Sequence, residues 1–238
     1  MIPEMKGLYQ FGAISFIGSG SLFLIKSVLE WMIGPPPSNG LEILLWSASA
    51  QLILATTSEV FFFAVMLLVP AVIALYASLA PTHRVHAIVG CGILGVTIPV
   101  LSVLAIVHGR LMYPVYDIQA HTADIAEFVV AVYYGGLHSV AELFAVATFV
   151  LSLALRRTYG RTIAYLGFAT AAFDVVGSFP WATGSLVWLV SGTFFAAWFV
   201  AVGVSLYRTS ARTALIDAEP GARAGRYGAG PAHGLETS

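Results

Sequence analysis

Residues 41–80 read LEILLWSASAQLILATTSEVFFFAVMLLVPAVIALYASLA. As one uninterrupted helix this stretch is roughly 60 Å long. That is about twice the hydrocarbon thickness of a bilayer. Only Glu42 and Glu59 carry charge in it. The segment is therefore membrane material, and it has to be divided. The residues predict a division near Thr56-Thr57-Ser58. Leu41 to Ala55, with Glu42, Ser47, Ser49 and Gln51, reads as a short helix at the interface, and Glu59 to Ala80 as a crossing.

Similar runs lie on either side. Leu8 to Ile33 reads as a first span, stopped by Gly34-Pro35-Pro36-Pro37-Ser38-Asn39-Gly40, because three prolines cannot continue a helix and Asn-Gly favours a turn. The run is longer than the apolar core of a leader and lacks a small-x-small cleavage site, which predicts a retained span. Pro81-Thr82-His83-Arg84 marks the next turn and Ala87 to Val107 the third span. A polar loop follows from Arg110 to Glu127. Phe128 to Leu155, Thr162 to Phe179 and Ser185 to Tyr207 complete a set of six, punctuated by Arg156-Arg157-Thr158-Tyr159-Gly160-Arg161 and by Pro180-Trp181.

The expected fold is all-α: a polytopic transmembrane helical bundle of six spans over residues 1–212, plus the short interfacial helix. Residues 213–238 are expected to form a tail. With Pro220, Pro231 and many Ala, Gly and Arg residues, it has too little apolar surface to fold from about Glu219 onward. Counting Leu41 to Thr57 as a crossing gives seven spans and moves only the N-terminus across. Lys6 opposes that count and Glu4 offsets it. Seven spans would suggest a microbial rhodopsin, but the last span has no Lys to hold retinal.

Charged residues make up 10% of the 238, and mean hydropathy is +0.87. The expected partner is the lipid bilayer. A formal net charge of -1 offers no basic field for nucleic acid. Cys91 is the single cysteine, so no disulfide can form within one chain. No Walker A, GxGxxG, GxSxG or HExxH motif is present, and no cofactor is expected. With six spans, Lys6, Arg84, Arg156, Arg157, Arg161 and Arg208 share one side. By the positive-inside rule that side is cytoplasmic, with the C-terminus, in a cell (inner) membrane.

Ionisable residues inside the spans are costly, and they mark where function is expected. By position along their spans, Glu142 and Asp174 fall near the midplane and His138 one turn further out. Lys26 lies about 9 Å outward of its span's centre and Glu30 a turn beyond. Glu59, His108 and Arg110 sit at outer ends, with His121 and Asp124 in the outer loop. Tyr134, His138 and Glu142 are spaced by four, one face of a helix. These depths predict a polar vestibule open outward and closed by apolar packing toward the cytoplasm. Lys26, Glu59, Tyr134, His138, Glu142 and Asp174 would line it, binding a small or amphipathic ligand in a sensing, accessory or transport role.

Two other readings stay open. In an enzyme acting on a lipid-like substrate, His138 would be the acid or base, Glu142 its orienting carboxylate and Asp174 a cation stabiliser or second acid. In a structural subunit, the same groups would only fix helix packing. The Lys26–Glu30 pair reads as snorkelling toward the interface. His108, His121 and His138, with the carboxylates, are suitable ligand types for a metal, but no tight ligand motif unites them and none is expected to be bound. Gly18-Ser19-Gly20 and Gly192 read as points of close helix approach.

Finally, VPAVIALYASLAP, LALRRTYGRTIAYLGF and FFAAWFVAVGVSLYR resemble segments of a group of bacterial multi-span membrane proteins that share a domain of unknown function. The resemblance implies a helical membrane bundle over most of residues 8–207 and assigns no catalytic residue.

Overall fold

The structure, a computed structural model, describes residues 3–116 and 122–218. Its regular elements are all helices: α1 (Pro3–Ile33), α2 (Gly40–Ser49), α3 (Gln51–Gly109), α4 (Ala123–Thr158), α5 (Arg161–Gly177), α6 (Pro180–Thr183) and α7 (Ser185–Ala218). Four of them, α1, α3, α4 and α7, are long and apolar enough to cross a membrane by length and composition. The backbone of α7 continues through Ala218, beyond the start of the expected tail at residue 213. His121 and residues 219–238, where disorder was expected, lie outside the described residues.

The expected turn at Pro81–Arg84 falls inside α3. His83 leaves helical geometry (φ −136°, ψ 48°). The two arms, residues 51–82 and 84–109, then run back along each other, since the Ser58 hydroxyl donates to the Ala105 carbonyl at 3.3 Å. Pro81 explains the corner. It has no N–H to give to the carbonyl four residues earlier, that of Ala77. The hydroxyl of Tyr9 takes that carbonyl instead, at 3.3 Å. The Tyr159 hydroxyl holds Ser78 beside it at 3.0 Å.

The break before this helix corrects the expected boundary. It falls at Ala50 (φ −108°, ψ 16°), not at Thr56–Ser58. Thr56 and Thr57 stay helical, each hydroxyl bonding the carbonyl four residues back, at 2.9 and 2.8 Å. α2 is fixed at its start by the Asn39 side chain, which accepts from the Glu42 N–H, and by Glu127, which accepts from the Gly40 N–H.

Contacts run α7–α1–α3–α4–α5 and back to α7. Small residues permit the close α1–α7 approach. A Cβ at Gly20 would come within 2.9 Å of the Ala196 carbonyl and of Phe199, and one at Gly192 would strike Ser27. Large apolar side chains such as Phe63, Ile73, Ile106 and Phe149 are exposed around the outside.

The two ends differ. At one, Ala13, Ala74 and Leu206 cluster with Leu8, Tyr9 and Tyr159. The start of α1, the His83 corner, the Arg156–Arg161 turn and the Arg208 end of α7 thus meet there. At the other, Trp46 donates to the Ile33 carbonyl and Gln51 to that of Met112. The Pro35–Pro37 loop, the Arg110 loop and the α5–α7 connection lie at this second end, the proline end.

Candidate functional site

Lys26 and Glu30 stand one turn apart on α1, both buried. The Lys26 ammonium lies 2.7 Å from Glu30 Oε2. Two other helices close on the same carboxylate. Tyr133 of α4 donates to Oε1 at 3.0 Å, and the Trp188 indole N–H of α7 donates to Oε2 at 3.1 Å. The ammonium also lies over three rings, 5.0 Å from the centre of Phe61, 5.5 Å from Trp188 and 5.9 Å from Tyr133. Those are cation–π distances. His108, at the end of α3, stacks on Tyr133 at 4.4 Å.

This arrangement corrects the snorkelling expectation. Snorkelling requires a path to the interface for the charged head. Here α3, α4 and α7 enclose this face of α1, and the pair turns inward. A buried charge without a partner is strongly destabilising, so the three donors on Glu30 and the rings around Lys26 make the burial tolerable.

Two hollows flank the network. The larger, about 680 Å³, opens at the proline end between α1, α4 and α7. Trp31, Tyr134, Trp181 and Trp188 form aromatic walls, and Glu30 supplies a charged group. The smaller, about 100 Å³, lies further from the proline end and is no more enclosed than the larger. Lys26 and Asp174 both line it, with Ser27, Ser191 and a set of phenylalanines. Trp188 is common to both hollows. Asp174 is buried, its Oδ2 has no hydrogen-bond partner, and it forms no ion pair among the described residues.

Of the expected site residues, Lys26, Asp174 and Tyr134 line these hollows. Glu142, His138 and Glu59 do not. Glu142 points outward, its side chain 54% exposed, with His138 Nε2 at 3.6 Å. The other ring nitrogen of His138 bonds the Ser178 carbonyl at 2.9 Å, and the ring packs on Phe179 and Trp181. The cause is helical drift. A step of four residues overshoots a full turn by about 40°, so two steps from Tyr134 carry Glu142 about 80° round the helix. Leu137, Ala141 and Phe144 take the inward positions. The expected His138–Glu142–Asp174 constellation is therefore not brought together in either of these hollows. Glu59 is exposed on the first arm of α3, as is Asp124 in the first turn of α4. Among the described residues no three metal-ligating side chains gather.

Tyr133 and Trp188 are absent from the expected site, and His108 enters it only as a suitable ligand type for a metal. Tyr133 is adjacent to the chosen Tyr134, about 100° round the helix, and only packing tells which of the two meets Glu30. Trp188 carries no local signal. Glu30 has one, its spacing of four from Lys26.

In comparisons with known proteins, the chain matches no family model, no curated protein and no solved structure.

Proposed function

We propose that this chain is a multi-pass protein of the cell membrane that captures a small or amphipathic molecule in the larger hollow, in a sensing, accessory or transport role. The observation that carries the reading is that hollow itself: about 680 Å³, walled by Trp31, Trp181 and Trp188 and containing one charged group, Glu30. Its size and lining suit a small-molecule site, where apolar walls hold the body and a few polar groups orient it.

Six crossings fit the reading. α1, α4 and α7 each cross once, the two arms of α3 cross in opposite directions, and α5, with 17 residues, is about 26 Å long. α2 has 10 residues, about 15 Å, too short to span and suited to the interface. The end that collects Lys6, Arg84, Arg156, Arg157, Arg161 and Arg208 is the cytoplasmic one by the positive-inside rule, so the hollow opens outward.

Photolabelling tests the proposal. The probe is a dodecyl alcohol bearing a diazirine, added to the protein in lipid nanodiscs. Saturable cross-links on α4 and α7 beside Tyr134 and Trp188 are expected. A Cβ on Gly135, which lines the hollow, meets nothing within 4 Å. Gly135→Trp should fill the space without disturbing the fold and abolish that labelling. Cross-links spread over lipid-facing residues such as Phe63, and unchanged by Gly135→Trp, would defeat the proposal.

A second reading draws on a separate observation. The Glu30 carboxylate is fully engaged by Lys26, Tyr133 and Trp188, which suits a structural clamp between α1, α4 and α7. If the clamp is the network's whole role, replacing it lowers stability and leaves photolabelling unchanged.

A further inference from the structure

The inner hollow raises a separate question of charge. Lys26 is neutralised by Glu30 at 2.7 Å. Asp174, in the same chamber, has no such cation, and its Oδ2 is buried without a partner. A buried carboxyl lacking compensation is costly, and it sits beside empty space. The chamber, about 100 Å³, is several times the 10–15 Å³ that a single water requires.

The lining narrows what could fill it. Apart from Asp174, Lys26 and two serines, the lining is apolar, with the rings of Phe23, Phe61, Phe144 and Phe195 beside aliphatic Leu101 and Leu137. The Ser27 and Ser191 hydroxyls already donate to the carbonyls of Phe23 and Phe173. Their lone pairs stay free, but with the Asp174 carboxyl they are the side-chain oxygens of the lining, too few to replace the hydration shell of an alkali ion. An apolar, ring-rich lining with one carboxyl suits an organic ammonium instead. The chain supplies its own example, because the Lys26 ammonium lies against Phe61, Trp188 and Tyr133.

The two hollows are stacked in depth. Glu30 lines the outer and Lys26 the inner, one helical turn apart. Trp188 stands between them, latched by its hydrogen bond to Glu30. A molecule with an apolar body in the outer hollow and a small head passing the Trp188 indole would occupy both. We infer that the ligand is an amphipathic organic amine whose ammonium head is received by Asp174 in the inner chamber. This assignment rests on the capture reading given above for the outer hollow.

The experiment uses three diazirine-bearing dodecyl probes that differ only in the head: ammonium, hydroxyl and carboxylate. Each is titrated against the full chain in nanodiscs. In the unaltered protein the ammonium probe should label the hollow at roughly tenfold lower concentration than the hydroxyl probe, and the carboxylate probe should be weakest. Asp174→Asn should erase the ammonium preference and leave hydroxyl labelling in place, while Glu142→Gln should leave both as they were. Tetramethylammonium should compete with the ammonium probe, and sodium at equal concentration should not.

Equal labelling by all three heads in the unaltered protein would overturn the inference without reference to any variant. So would a preference that survives Asp174→Asn, or competition by sodium as strong as by tetramethylammonium. If Gly135→Trp abolishes labelling by all heads and no head is preferred, the capture reading stands and the amine assignment falls. If Gly135→Trp has no effect on any probe, the capture reading falls.

Discussion

The half of the molecule toward the proline end and the half toward the His83 corner are held together by different means. The first contains the Glu30 network, the unpartnered Asp174 and both hollows. The second is filled by rings that line neither hollow: Phe199 lies 5.3 Å from Phe16 and 5.5 Å from Trp198. Trp198 is fully buried among them. In lipid, burying apolar surface between helices gains little, because the tails are as apolar as the side chains, and packing and polar bonds have to hold the helices instead. The ring-filled half uses shape. The proline-end half uses a few strong bonds and tolerates empty space between them. A protein built this way can offer a pocket at one end without loosening the other.

The sharpest test of that contrast removes the centre of the network. Glu30→Leu leaves the Lys26 ammonium buried without its counter-ion, which is expected to cost about 3–5 kcal/mol. Thermal unfolding in detergent measures it. Adding Lys26→Met to Glu30→Leu should recover most of the loss, since two apolar groups of similar shape leave no stranded charge. A double variant as unstable as the single would mean that the ion pair is not what the half depends on.

In the ring-filled half the vulnerable point is a glycine. A Cβ on Gly167 would collide with the Ser152 hydroxyl and the Trp198 indole. Overpacking of this kind costs about 1–3 kcal/mol, so Gly167→Ala should lower unfolding stability by about 2 kcal/mol and leave photolabelling of the hollow as it was. Unchanged stability would show that α5 and α7 yield there, and that shape constrains this half only weakly.

Much of this architecture was legible because lipid imposes simple rules. Apolar runs gave the long helices, Pro81 with His83 the corner, and Pro35–Pro37 the end of α1. The Thr56-Thr57-Ser58 run misled because a threonine hydroxyl can bond its own helix, which removes the reason to break. The site was half legible. Lys26 and Asp174 stood out as charges in apolar runs, and both line the inner chamber. Depth along a helix follows from counting residues, but the face does not, because a spacing of four drifts steadily round the axis. Tyr133 and Trp188 were missed for a related reason: an aromatic in an apolar span resembles its neighbours until a carboxylate from another helix meets it.

The smallest expected effect discriminates most between depth and direction. Glu142 sits near the middle of its span by residue count, where an inward carboxylate would matter greatly, yet its side chain is 54% exposed and its nearest ionic neighbour is the His138 ring at 3.6 Å. A group with so much exposure contributes little through such a pair. Glu142→Gln should shift stability by no more than about 0.5 kcal/mol and leave labelling by the alcohol probe at its original strength. A loss comparable to that of Glu30→Leu would mean that Glu142 turns inward in the membrane, and the division between a networked half and a ring-filled half would have to be redrawn with α4 rotated toward the hollow.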